Sequence, residues 1–500
     1  MIDITSTHSR IAIVGTGFSG IAAAVKLLEQ GEDDFIIYER SGDVGGTWRD
    51  NSYPGCACDV PSHLYSFSFA PNPHWSRAFS PQPEIQNYLR RVSAEYGVTE
   101  KVRFHHDLND AAWDEEVGIW RLDTSQGPRT AEVLISAVGG LSAPSTPKLP
   151  GIETFEGPTF HSAEWDHDLD LTGKRVAVIG TGASAIQFVP EIQPDVASLD
   201  LFQRTPPWIM PRRDRPVSKL ERRFFSALPA AQKLVRTAIY WGRELFVLPM
   251  LRPRLARRTE DIARRHIQHQ VKDPGLREKL TPDYSIGCKR VLLSNRYYPT
   301  LAKENVDVIT SGISEITPGG LVTDDGVEHP ADVIVFGTGF KVTDMPIGHR
   351  IRGRAGRTLH EGWQGSPNAH NGTMVAGFPN FFMLMGPGTG LGHTSVTIMI
   401  EAQVGYLIQA LSVLDESATV EPTDEAMNAW RDEVDRLSLN TVWTSGGCKS
   451  WYLDETGRNS TLWPTFATKY RRRLANFDPG EHRFERRSGD PVAEAERLLA

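Results

Sequence analysis

RIAIVGTGFSGIAAAVKLLEQG, residues 10 to 31, decides the fold. Ile11 to Val14 is a short apolar run of strand length, Gly15-Thr-Gly17-Phe-Ser-Gly20 is a tight turn, and the residues after it carry apolar side chains at helical spacing. A strand, turn and helix in that order bring backbone N–H groups and a helix N-terminus to one point. There a pyrophosphate can approach because the glycines lack Cβ atoms. The unit recurs at RVAVIGTGASAIQFVP, residues 175 to 190, with Gly180 and Gly182 in the turn and Ala185 where the third glycine would stand. One such turn is weak evidence. Two, each following a strand, predict an α/β fold with two Rossmann-like dinucleotide-binding domains.

The second strand of each unit separates the two ligands. FIIYE ends on Glu39, 19 residues beyond Gly20, where a carboxylate can accept hydrogen bonds from ribose hydroxyls. LDLFQR ends on Arg204, 19 residues beyond Ala185, where a guanidinium can grip a 2′-phosphate that a carboxylate would repel, with Thr205 beside it. The second nucleotide is therefore expected to be NADPH, and a hydride donor beside another dinucleotide site implies FAD in the first. LISAVG at 134–139 and VIVFGTGF at 333–340 read as strands ending in small residues where the chain crosses between domains. This gives an FAD domain over 1–145, an NADP domain over 146–330 with a helical insertion near 212–279, and a return to the FAD domain, with a C-terminal tail, over 331–500.

Composition narrows the class. Five hundred residues with a net charge of −8 make ordinary globular material and argue against nucleic acid as an obligate partner. The four cysteines, with Cys56 and Cys58 one residue apart, read as structural thiols in a reducing cytosol. No signal peptide or spanning helix is expected, and a cytoplasmic location follows. The apolar stretch WGRELFVLPML within the insertion reads equally as packing surface or as a substrate entrance.

FEGPTFHSAEWD, residues 155 to 166, lies between the stronger motifs. With it the chain resembles the flavin-dependent Baeyer–Villiger monooxygenases over nearly its full length. The family fingerprint falls on Phe155, Gly157, His161, Trp165 and Asp166, and the resemblance implies a linker coupling movement of the two domains to catalysis. It further implies flavin-contacting loops at Gly46, Thr47 and Trp48 and at Asp59, Val60 and Tyr65, with a late flavin contact at 385–395. Arg290 is implied as the active-site arginine, Asp59 as the aspartate that orients it, and Lys289 as a partner of Arg204 on the 2′-phosphate. The implied activity is NADPH- and O2-dependent conversion of ketones to esters or lactones through a C4a-peroxyflavin, with no metal, and with thioethers as further substrates. An N- or S-oxygenating flavin monooxygenase stays open as the alternative. A disulfide reductase would need a redox-active cysteine pair on a helix, which the Pro-Gly loop of Cys56 and Cys58 does not offer.

Overall fold

The computed structural model describes residues 7–414 and 418–486. Most of the N-terminal segment MIDITSTHSR and the tail beyond 486 fall outside the described residues. Two sheets organise what is described. The first runs in the order Ile351–Arg352, Leu108–Asp114, Ile119–Thr124, Gly127–Ser136, His8–Val14, Phe35–Tyr38, Val102–Arg103, with Phe381–Met383 also paired to Gly127–Ser136. Its central strand changes role along its length. Gly127 to Ala131 pair antiparallel with the preceding strand Ile119–Thr124, whereas Leu134 to Ser136 pair in parallel with Phe381 to Met383. The second sheet is wholly parallel, in the order Val306–Ile309, Ser198–Phe202, Arg175–Ile179, Val333–Phe336, Thr159–His161.

Both opening strands are covered on two faces, which is why they read as continuous apolar runs rather than as alternating ones. Ile11, Ala12 and Ile13 are fully buried, and so is Val178. The helix Phe18–Glu29, with Ala22, Ala23 and Ala24 all buried, packs on the helix Thr397–Val413. Helices Lys219–Ala227, Pro229–Leu245, Leu248–Leu251, Pro253–Gln270 and Pro274–Leu280 follow one another between the strands Ile209–Met210 and Leu292–Leu293. Its apolar stretch is a packing surface in part, with Val247 and Met250 buried beside Trp208, Trp443 and Tyr452. No helix among the described residues is long and apolar enough to cross a membrane.

Two readings of the sequence need correction. The strand Val333–Phe336 pairs inside the second sheet, so the chain leaves that sheet after Phe336 rather than at 331. Cys288 and Cys448, read as thiols, form a disulfide, while Cys56 and Cys58 are buried thiols. The pair is 160 residues apart in sequence. Only the packing of the segment after Val442 onto Gly287 brings it together, with Ser285 N donating to Gly446 O at 2.9 Å.

Candidate active site

The first glycine turn is a cradle made by backbone. Gly15 has φ +102°, and a Cβ there would lie 2.9 Å from Ala137 O; a Cβ on Gly20 would lie 1.9 Å from Gly15 O. A side chain at Gly20 would therefore push the helix off the strand. Gly17 caps that helix without any side-chain acceptor, which leaves the first N–H groups for a ligand anion. Glu39 is 3 % exposed at the end of its strand. Its carboxylate accepts from Thr16 N at 3.1 Å, Thr16 Oγ1 at 2.5 Å and Ser41 N at 2.9 Å, and pairs with Arg49 at 2.8 Å.

The loops implied to touch the flavin gather beside this cradle. Gly45 N donates to Thr16 O at 2.9 Å, and Gly46 precedes the short helix Thr47–Asp50, with its Cα close to Gly17. Trp48 Nε1 donates to Tyr65 OH at 2.9 Å, and Val60 is buried in the same core. On the late segment, the Thr394 hydroxyl is buried without a hydrogen-bond partner among the described residues, two residues before the turn into Thr397–Val413. An orphaned buried hydroxyl just ahead of a helix that packs on the cradle's own helix suits a polar ligand such as FAD.

The second cradle repeats the pattern with one substitution. Gly180 has φ +109°, and a Cβ there would meet Gly337 O at 2.5 Å. The methyl of Ala185 fits against Gly337, where even a Cβ would lie at an ordinary contact distance of 3.4 Å from it. Gly182 is exposed at the turn, and Thr181 Oγ1 donates to Thr205 O at 3.1 Å, which fixes the loop after the strand. Arg204 is exposed just beyond Ser198–Phe202. Lys289, half-buried over the Tyr284 ring at 5.2 Å, lies near enough for its charge to be felt. Burial first and the Arg204 charge second lower the Lys289 pKa, against a weaker opposing pull from Asp283. Two cations that repel each other form a site that a phosphate dianion would relieve.

Asp59 and Arg290, 231 residues apart in sequence, meet in a bidentate pair with Nε–Oδ2 at 2.7 Å and Nη2–Oδ1 at 2.6 Å. Burial would raise the Asp59 pKa, but the charge and hydrogen bonds of Arg290 outweigh it and leave the carboxyl below its ordinary value. The Asp59 charge in turn raises Arg290 against the effect of burial. The pair lines a cavity of about 290 Å³ between the flavin-side loop and the strands Ile209–Met210 and Leu292–Leu293.

Two neighbours escaped the sequence reading. The hydroxyl of Tyr452 is buried beside Arg290, and burial pushes its pKa up to about 12 against the charge of that arginine. Arg243, on the insertion helix Pro229–Leu245, lines the same cavity. Its one legible signal was an arginine inside an apolar run.

The 155–166 segment runs along the edge of the second sheet. Phe155 packs beneath that sheet, and a Cβ on Gly157 would lie 2.3 Å from Asp332 O. His161 is 3 % exposed; its Nδ1 accepts from Ala163 N at 3.1 Å, and its ring meets Phe340, on the crossing back to the first sheet, at 5.7 Å. Burial lowers its pKa, so the ring is neutral at physiological pH. Trp165 sits between Phe160 and Phe188, each at 5.2 Å, and Phe188 also meets Tyr53 of the flavin-side loop at 6.1 Å. Asp166 caps a turn by accepting from Asp168 N at 3.0 Å.

Loss of the Trp165 ring breaks a relay between the two halves without touching either cradle. Trp165→Ala is expected to retain FAD at a stability cost of about 1–2 kcal/mol from two lost ring contacts. Product formation should fall at least about tenfold, because a group displaced by about 1 Å can cost far more than that. Wild-type product formation in this variant would make the segment an ordinary edge loop.

A strand-borne carboxylate in one glycine cradle and a cation pair at the other suit an enzyme of two dinucleotides, the second with a phosphate on its ribose. Comparison with known proteins specifies it further. Residues 8–231 match the family described as flavin-binding monooxygenase-like. The chain is 53 % identical over 480 residues to a Baeyer–Villiger monooxygenase of Streptomyces coelicolor, covering 95 % of this chain and 92 % of that one. It is 50 % identical over 476 residues to one of Pseudomonas aeruginosa, covering 94 % and 90 %. Cyclohexanone monooxygenase from Rhodococcus sp. Phi1, solved with NADP+, superposes with a TM-score of 0.86 at 30 % identity, over 97 % of this chain and 100 % of that one. This chain belongs to the Baeyer–Villiger monooxygenases, enzymes dependent on FAD and NADPH.

Proposed function

We propose that this enzyme converts ketones to esters or lactones, with thioethers as further substrates, and that Arg290 and Asp59 form its catalytic pair. The observation that carries this reading is the bidentate Arg290–Asp59 contact on the wall of a cavity between the two halves. The balanced reaction takes a ketone, O2, NADPH and a proton to an ester, NADP+ and water. FAD, when bound, supplies the redox chemistry that passes two electrons from NADPH to O2 and delivers one oxygen atom to the carbonyl.

The chain supplies the rest. Gly15, Gly17 and Gly20 receive one pyrophosphate, and Glu39 the adjoining ribose; Gly180, Gly182 and Ala185 receive the other, with Arg204, Thr205 and Lys289 on the 2′-phosphate. The first sheet is assigned to FAD and the second to NADP. Arg290 holds a permanent positive charge where negative charge grows on the carbonyl oxygen, and Asp59 aims the guanidinium through two hydrogen bonds. Preorganised charge of this kind is worth several kcal/mol in a site that excludes water. A cytoplasmic location is part of this proposal.

The test supplies purified enzyme with NADPH, 18O2, cyclic ketones and thioethers. One 18O atom in the ring of a lactone product is expected. Sulfoxide formation with no lactone from any ketone would replace this reading with the N- or S-oxygenating one.

A further inference from the structure

The cavity beside Arg290 holds more positive charge than the catalytic pair explains. Asp59 is committed to Arg290 by both carboxylate oxygens. Arg243 lines the same wall, and its Nε is buried with no hydrogen-bond partner among the described residues. Burial lowers its pKa, the Asp59 charge opposes that, and Arg290 adds to it. Its guanidinium lies over Phe246, 5.8 Å from the ring centroid, and makes no ion pair among the described residues. Arg213 is a third guanidinium on the lining. Its neighbours in the chain are all engaged: Arg212 reaches Cys58 O and the Phe79 ring, Asp214 pairs with Arg77, and Arg215 pairs with Glu221. Arg213 itself is exposed and makes no ion pair among the described residues. Three arginines against one carboxylate leave a surplus of two positive charges, in a chain whose net charge is −8.

Desolvating a guanidinium without an anionic partner is costly, and a charged hydrogen-bonding partner brought in by the ligand recovers that cost. We propose that this cavity selects ketones that carry a carboxylate, with Arg243 binding the anion and Arg213 drawing it in at the mouth. The apolar faces of Phe79, Phe246 and Met210 would hold the hydrocarbon between carboxylate and carbonyl. The carboxylate is unchanged by the reaction, so an oxo acid leaves as an ester or lactone acid. This deepens the ketone reading and rests on it for turnover, but the binding preference can be measured without turnover.

The experiment titrates oxidised, FAD-loaded enzyme with cyclohexanecarboxylate and with cyclohexanecarboxamide, following the flavin absorbance. The acid is expected to bind at least about tenfold more tightly, and added salt should narrow the gap. Arg243→Gln should collapse that ratio. Arg213→Gln should weaken acid binding less, and it serves as the second variant should Arg243→Gln fail to hold FAD. Turnover of 4-oxocyclohexanecarboxylate and its methyl ester is measured in parallel, with a lower KM expected for the acid. Equal affinity for acid and amide, or an Arg243→Gln effect confined to the KM for NADPH, would overturn the proposal. A carboxylate preference without oxidation of any ketone would leave this site standing and remove the ketone reading.

Discussion

Arg290→Ala is expected to hold FAD and to oxidise NADPH, yet to lose ester formation by about 10²–10³-fold, the usual cost of removing one group that stabilises developing oxyanion charge. The cradles are built from backbone far along the chain from residue 290, so neither nucleotide depends on this side chain for its pyrophosphate. What disappears is the fixed cation that forms the ion pair with Asp59. In the wild type the Arg290 charge holds Asp59 ionised against burial. Once it is gone, burial dominates and the carboxyl pKa rises. The side chains are 31 % and 24 % exposed, so solvent softens the stability loss to below the 3–5 kcal/mol typical of a fully buried broken pair. NADPH consumed, ester formed and hydrogen peroxide released should be counted together. The variant should consume NADPH and release peroxide in near-equal amounts. Ester formation at the wild-type rate would make Arg290 structural. Arg290→Lys keeps a charge but loses the two-pronged contact, and it should fall between the two.

Arg204→Ala is the second large effect. Charge-assisted hydrogen bonds are worth about 1.5–3 kcal/mol each, and Arg204 is solvent-exposed, so a loss of about 2–3 kcal/mol is expected. That corresponds to a rise of about 30- to 150-fold in the KM for NADPH. NADH has no 2′-phosphate, so its KM should hardly move, and the preference for NADPH should largely vanish. Lys289→Ala should follow in the same direction but more weakly, since Arg204 remains to grip the phosphate. An unchanged ratio of kcat/KM between the two nicotinamides would remove Arg204 from the site.

Much of this was legible in the sequence because it is local. Strand, glycine turn and helix follow one another within about 20 residues, and the glycine positions state which Cβ atoms cannot be tolerated. Glu39 and Arg204 were legible by their distance from those turns. Asp59 and Arg290 were not readable from spacing, since 231 residues separate them; only likeness to a family joined them. Arg243 and Tyr452 had no such help, as tertiary packing alone brings the first to the cavity and the second beside Arg290. The antiparallel meander at 108–131 and the pairing of Ala418–Pro422 with His482–Arg486 also went unread. Long-range strand pairs leave no mark on local periodicity. The Cys288–Cys448 bond was missed for the same reason.

That bond has a kinematic consequence. Cys288 directly precedes Lys289 and Arg290, whereas the segment bearing Cys448 continues to Leu462, which bridges Gly390 on the flavin-side half. The arginine-bearing loop, whose strand Leu292–Leu293 belongs to neither main sheet, is thus riveted to the half that holds the first sheet. If the two sheets swing relative to each other during turnover, the rivet is the pivot, and displacement grows with the radius from it. Arg290, two residues out, lies on a short arm and keeps its bearing on the carbonyl. Arg204 and the Gly180 turn stand on the second sheet, outside that tie, so such a swing would move them relative to Arg290.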